Sequence, residues 1–115
     1  MDNTELLQKW EIEYKKGYSK PVLLILLSED PNYPFRLTKE ISKRTKDQIS
    51  IASSNIYPIL KSLLDEGLVA AKKTDPSREK ARIIYSITDE GRSFLTELKA
   101  SMNEFLQVLE ELIKS

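Results

Sequence analysis

The chain of 115 residues contains no cysteine and no histidine. The first absence excludes a disulfide framework and thiolate chemistry. The second removes the side chain that most often serves as a general base near neutral pH, and the commonest metal ligand. Glycine is scarce, with three residues, and no phosphate-cradling glycine loop can be assembled from them. The longest apolar run, residues 22–27, is far too short to cross a membrane. The opening Met-Asp-Asn-Thr-Glu is acidic and unlike a secretion signal. These absences point away from an enzyme, from a bound cofactor and from a metal centre, and toward a cytoplasmic protein with one ordered, helix-rich domain.

Net charge is also absent, since 18 basic residues balance 18 acidic ones. The charge is segregated, however. Residues 36–48 carry five bases against two acids, residues 61–82 six against four, and residues 88–115 three against six. A basic middle is sufficient for phosphate contact. Solvated helix faces are the plainer reading of the same charges.

Helical spacing organises most of the chain. Residues 4–16 form an amphipathic stretch with Leu6, Leu7, Trp10 and Tyr14 on one stripe, ended by Gly17. Pro21 suits the first turn of a helix over 19–28, whose leucines favour a buried helix over a strand. After a turn at 29–32, a further helix runs from Pro34 to about Thr45, with Leu37 and Ile41 inward and Lys39 and Lys43 outward. Ser53, Ser54 and Asn55 are residue types that cap a helix start, and Ile56, Leu60, Leu63 and Leu64 make its buried face. Gly67 sits where the chain leaves that helix through a left-handed turn. Strands over 68–73 and 82–87, joined by an Asp-Pro turn, make a basic hairpin, with Ile83, Tyr85 and Ile87 on one face. Thr88 caps a last helix to about Ile113. Its Leu95, Leu98, Met102, Phe105, Leu109 and Leu112 are spaced 3, 4, 3, 4, 3, a heptad seam. That seam calls for a partner helix, most simply from a second copy, unless it folds back on its own domain.

The order helix, helix, helix, strand, wing, strand is that of a winged helix-turn-helix. The fold expected is mostly α with a small β-hairpin: an N-terminal helix (1–17, possible interface), a winged-helix DNA-binding domain (18–88) and a C-terminal dimerisation helix (89–115). In such a fold the second helix of the pair enters the major groove of DNA. The residues able to read bases are then Ser53, Ser54, Asn55, Pro58 and Lys61. Asn55 matches adenine, and Lys61 matches guanine or a phosphate. Ser53 and Ser54 are equally explained as caps. Tyr57 fits either a phosphate contact or packing. Lys72, Lys73, Arg78, Lys80 and Arg82 flank the wing and, with Lys39 and Lys43, would hold phosphates. The dimer seam would comprise Leu95, Leu98, Met102, Phe105, Leu109, Leu112 and Trp10.

Residues 55–69, Asn-Ile-Tyr-Pro-Ile-Leu-Lys-Ser-Leu-Leu-Asp-Glu-Gly-Leu-Val, and 84–92, Ile-Tyr-Ser-Ile-Thr-Asp-Glu-Gly-Arg, resemble the PadR family of transcriptional regulators. The resemblance covers about residues 19–113. It departs at Pro34-Phe35, where the family has a Gly-Tyr pair, and at Ile84, where a second aromatic is usual. It implies a homodimer joined by the C-terminal helix and often by the N-terminal one, and repression relieved in some members by small aromatic or cationic effectors. Trp10, Phe94, Met102 and Phe105 fit either an effector pocket at the dimer interface or plain packing. The alternative function is a winged-helix protein–protein interaction module that does not bind DNA.

Overall fold

The structure is a computed structural model, and it describes residues 1–75 and 82–115. Five helices and one hairpin follow in chain order: α1 (Asn3–Lys15), α2 (Ser19–Glu29), α3 (Pro34–Arg44), α4 (Ile56–Asp65), β1 (Val69–Lys73), β2 (Ile83–Ile87) and α5 (Asp89–Lys114).

The core forms around α2. Its leucines are apolar on every side, and Leu23, Leu24, Leu26 and Leu27 are all buried. That settles residues 19–29 as a helix, because a strand could not bury adjacent residues on one core. Leu37 and Ile41, one turn apart on α3, close over α2 together with Ile56, Leu60 and Leu63 of α4. Tyr85 of β2 and Leu95 of α5 complete the shell. Each such side chain contributes about 1.5–3 kcal/mol on burial.

The turn between α3 and α4 is built by Thr45. Its hydroxyl donates to the Ile41 carbonyl at 2.7 Å and accepts from the Ile49 N–H at 3.0 Å. Lys46 and Asp47 then adopt left-handed backbone, with φ of 52° and 63°. The following helix opens at Ile56 rather than at Ser53. Asn55 has a helical φ and its side chain makes no capping bond, while its N–H bonds the Ala52 carbonyl at 2.8 Å. Ser53 and Ser54 lie in this preceding turn, outside the cap position of a helix that has no side-chain cap bond, so residue type alone overstated their capping role.

The exit from α4 follows expectation. Gly67 has φ of 75°. Its N–H bonds the Leu64 carbonyl and the Leu68 N–H bonds the Leu63 carbonyl, both at 3.0 Å. This is a Schellman closure, with the buried Leu63 and Leu68 as its apolar contact. Gly67→Ala should cost about 1–2 kcal/mol, measured by urea unfolding, because an alanine there must hold a left-handed conformation. Gly17, by contrast, has no positive φ and ends α1 without that device.

The hairpin pairs antiparallel from Val69↔Ile87 to Lys73↔Ile83. Residues 31–32, expected as turn, supply a third short edge. Asn32 and Tyr85 exchange two backbone bonds, at 3.0 and 2.8 Å. On β2, Tyr85 is buried, Ile87 half-buried and Ile83 exposed, so the shared face runs outward from the core.

α5 starts at a junction made by Thr88. Its N–H bonds the Leu68 carbonyl at 3.0 Å, and its hydroxyl donates to the Gly67 carbonyl at 2.7 Å and accepts from the Gly91 N–H at 3.0 Å. Gly91 is buried against the same segment. Leu95 is 5% exposed in the core and Leu98 packs beside it. This corrects the seam: its first two members serve their own domain, because the first turns of α5 lie on α2. From Met102 onward no residue of α5 is buried, and α1 buries none at all. The radius of gyration, 16.4 Å, accordingly exceeds the value of about 13 Å for a compact chain of this length. Among the described residues, no helix is long and apolar enough to cross a membrane.

Candidate nucleic-acid interface

α4 buries one face and offers the other. Opposite Ile56, Leu60 and Leu63, the side chains of Asn55, Tyr57, Pro58 and Lys61 are exposed, with Ser53 and Ser54 just before them. Residues 57, 58 and 61 share a stripe at helical spacing on α4. Tyr57 is 58% exposed, which excludes a core-packing role in this chain. It stands beside the hairpin: burial raises the Tyr85 phenol above its ordinary pKa, and the nearby Tyr57 phenol adds a smaller push. Lys61 pairs with Asp65 at 3.0 Å, one turn along. Both ends of that pair are largely exposed, so it contributes little and leaves Lys61 free to exchange partners.

The basic side chains fall into two groups. One group is engaged by carboxylates. Arg44 forks onto Glu29 at 2.5 and 2.9 Å, and this hydrogen-bonded guanidinium holds the Glu29 carboxyl below its usual pKa. Lys20 binds Glu66, lowering that carboxyl in turn with help from the Ser62 hydroxyl. Lys15 pairs with Glu11 and reaches Gln48 at 2.8 Å.

The second group, on α3 and the hairpin, comprises Arg36, Lys39, Lys43, Lys72, Lys73 and Arg82, which form no ion pair among the described residues, as is also true of Lys9, Lys16, Lys46, Arg92 and Lys99 elsewhere on the chain. Arg36, Lys39 and Lys43 follow at i, i+3 and i+7 along α3, one outward stripe. Lys39 lies over the Phe35 ring, 4.6 Å from its centroid. The hairpin register separates the two wing lysines. Lys73 shares a face with Tyr85, and Lys72 lies on the other face beside Ile84, because alternate strand residues point oppositely. Arg82 reaches back to Tyr33, 4.2 Å from its ring centroid. Arg78 and Lys80 lie outside the described residues.

Sequence reasoning missed Arg36 and Tyr33. The spacing of Arg36 to Lys39 and Lys43 was available as a signal, whereas the approach of Arg82 to Tyr33 exists only once the hairpin folds against α3. A cavity of about 500 Å³ lies between α1 and the α3–α4 turn, lined by Ile12, Lys15, Gln48, Ile51, Asn55 and Ile59. Trp10, Phe94 and Phe105 are exposed and do not line it. Among the described residues no cluster of acidic side chains is arranged to hold a metal ion.

The remaining seam residues lie on the projecting part of α5. Phe105 and Leu112 are 56% and 70% exposed, with Val108 and Ile113 alongside. Met102 is half-covered, and Leu109 lies between these exposed neighbours outside the core. Trp10 is 66% exposed on α1, with Leu7, Ile12 and Tyr14.

Comparison with known proteins agrees with this architecture. A regulator of the PadR family from Eggerthella lenta superposes with a TM-score of 0.83 at 24% identity, covering 97% of this chain and 96% of its own. A PadR-like regulator from Bacillus cereus gives 0.76 at 24% identity, covering 90% and 98%. The Bacillus subtilis PadR, solved in complex with operator DNA, gives 0.61 at 28% identity over 69% of this chain and 45% of its own. A protein of Lysinibacillus sphaericus is 26% identical over 95 residues, which is 83% of this chain and 87% of that protein. The model of the PadR-like transcriptional regulators matches residues 22–97. Those residues hold the core, α4, the hairpin and the Thr88 junction, and the chain therefore belongs to the PadR-like family of transcriptional regulators, a family of regulators and not of enzymes.

Proposed function

We propose that the protein is a homodimeric repressor of the cytoplasm that binds double-stranded operator DNA in a sequence-specific manner. The observation that carries this reading is the set of six cations on α3 and the hairpin, flanking the exposed polar face of α4, that have no carboxylate partner among the described residues. A cation left unpaired beside a helix of groove-reading dimensions is suited to a backbone phosphate. The operator complex of the Bacillus subtilis relative supports the same assignment. Two copies joined through α1 and the end of α5 would present two reading helices to a pseudo-palindromic site. A small-molecule effector, where one acts, would meet Trp10, Phe94, Met102 and Phe105 at the dimer interface.

Binding to a DNA duplex should weaken steeply with salt, with a log–log slope of about −0.9 per phosphate contacted. No duplex binding at low salt would overturn the reading in favour of a protein-binding module. Single substitutions separate the two kinds of contact. Lys72→Ala should weaken binding to all sequences by a similar factor, since a phosphate contact carries no base identity. Asn55→Ala should instead relax preference at one base pair in each half-site, by about 1–3 kcal/mol, read from a randomised-site selection.

A further inference from the structure

We propose that Arg36 and Arg82, gathered on the ring of Tyr33, form a two-guanidinium clip that holds one backbone phosphate of the bound duplex at the root of the hairpin. The proposal rests on the duplex-binding reading above and assigns a specific contact within it.

Tyr33 is fixed before any ligand arrives. The preceding residue, Asn32, is bonded to Tyr85 of β2 by two backbone hydrogen bonds, and its side-chain oxygen accepts from the Tyr33 N–H at 2.8 Å. Onto the ring carried by this anchored backbone come two cations from different elements. The Arg36 guanidinium carbon lies 5.3 Å from the ring centroid and that of Arg82 lies 4.2 Å from it. Their separation therefore cannot exceed the sum of those two distances.

Two like charges within that bound repel each other, weakly where solvent screens them, and no carboxylate among the described residues stands against either. The contrast is Arg44 on the same helix, which is neutralised by Glu29 and Glu40. Nor does α3 itself favour Arg36: it occupies the first turn, where the helix dipole disfavours a cation, and no acidic residue shares that turn. The ring offsets part of the repulsion by a cation–π attraction and leaves the N–H edges of both guanidiniums unspent. A planar fork of donors on each side matches the two non-bridging oxygens of a phosphodiester, which carry one negative charge between them. In helix-turn-helix binding the first helix of the pair crosses the backbone, which is where such a phosphate would be met.

The test is a salt titration with a fluorescent mixed-sequence duplex of about 30 base pairs, since phosphate contacts do not need the operator. The variants are Arg36→Ala, Arg82→Ala, the double variant and Tyr33→Leu. Both arginines are exposed, and a circular dichroism melt confirms that each variant is folded. If the two share one phosphate, the double variant loses about 0.9 from the slope for each protomer bound, about 1.8 for a dimer seated on the duplex. A loss of about 1.8 per protomer, twice the expected change, would mean two separate phosphates and overturn the clip, as would an unchanged slope. Tyr33→Leu keeps both charges and removes the ring, so its slope should hold while affinity drops about threefold or more. Wild-type affinity in that variant overturns the part assigned to the ring. A wild-type protein that fails to bind the duplex at low salt overturns the function itself. A wild type that binds, with variants indistinguishable from it, overturns only the clip.

Discussion

Gly91→Ala should lower stability by about 3 kcal/mol, a fall in melting temperature of roughly 10–20 °C. A Cβ built at this position would stand 2.1 Å from the Leu68 carbonyl oxygen and 2.7 Å from a side-chain carbon of Ile87. The first obstacle is backbone, and it is the same carbonyl that accepts from the Thr88 N–H. Relief therefore requires α5 to move away from the sheet, which breaks the Thr88 junction and uncovers Leu95. Helix propensity works in the opposite direction, since alanine is favoured over glycine inside a helix by about 1 kcal/mol. The sign of the measured change thus separates the two effects, and a stabilised variant in a thermal melt would show that the close approach does not matter. Gly17→Ala is the matched control. Nothing lies within 4 Å of the point where its Cβ would stand, and its stability should change by no more than about 0.5 kcal/mol.

If two copies pair as proposed, Leu109→Asp should leave a monomer, observed by sedimentation at micromolar concentration, and reduce operator affinity by about 100-fold or more. The argument begins with what the single chain leaves uncovered. The turns of α5 after Leu98 and the whole of α1 contain no buried residue, yet they carry Trp10, Phe105, Val108, Leu112 and Ile113 at high exposure. An isolated helix as short as α1 is marginal in water, so its order implies a surface to rest on. A carboxylate in the centre of a two-copy seam would need burial without a partner, at a cost of several kcal/mol. The fold of each copy does not depend on that position, since Leu109 is outside the core cluster. Loss of the second half-site, rather than damage to α4, is then what removes the affinity. A variant that sediments as the wild type does would place the interface elsewhere.

The winged-helix layout was legible in the sequence because its elements have strong local signatures. The apolar spacing of α4, the left-handed exit at Gly67 and the Thr88 cap each follow from rules that act within a few residues. The parts that were not legible depend on distant partners. Leu95 and Leu109 occupy equivalent heptad positions, and periodicity cannot tell a residue that meets α2 from one that projects beyond it. The Asn32–Tyr85 bridge is one residue pair long and leaves no alternation to detect. Ser53 and Ser54 have capping chemistry, but the turn closes from Ala52 and starts the helix at Ile56 instead. For the interface, the composition of the basic middle was evident, whereas its division into neutralised and unpaired cations required knowing which carboxylates fold against them. The glycine at Gly91 was recognisable only as part of a resemblance; its physical reason is the Leu68 carbonyl.

The Thr88 junction has a mechanical side. One residue ties the end of α4, the start of β1 and the start of α5 through three hydrogen bonds. α5 extends from that point for 26 residues, a rod of about 39 Å. A tilt of about one degree at the junction swings the far tip by about 0.7 Å. The converse is a lever with its short arm at Gly67: a sizeable displacement at the tip is reduced to a fine adjustment of the helix end it grips. The geometry gears coarse movement at one end of the molecule down to the ångström scale at the other.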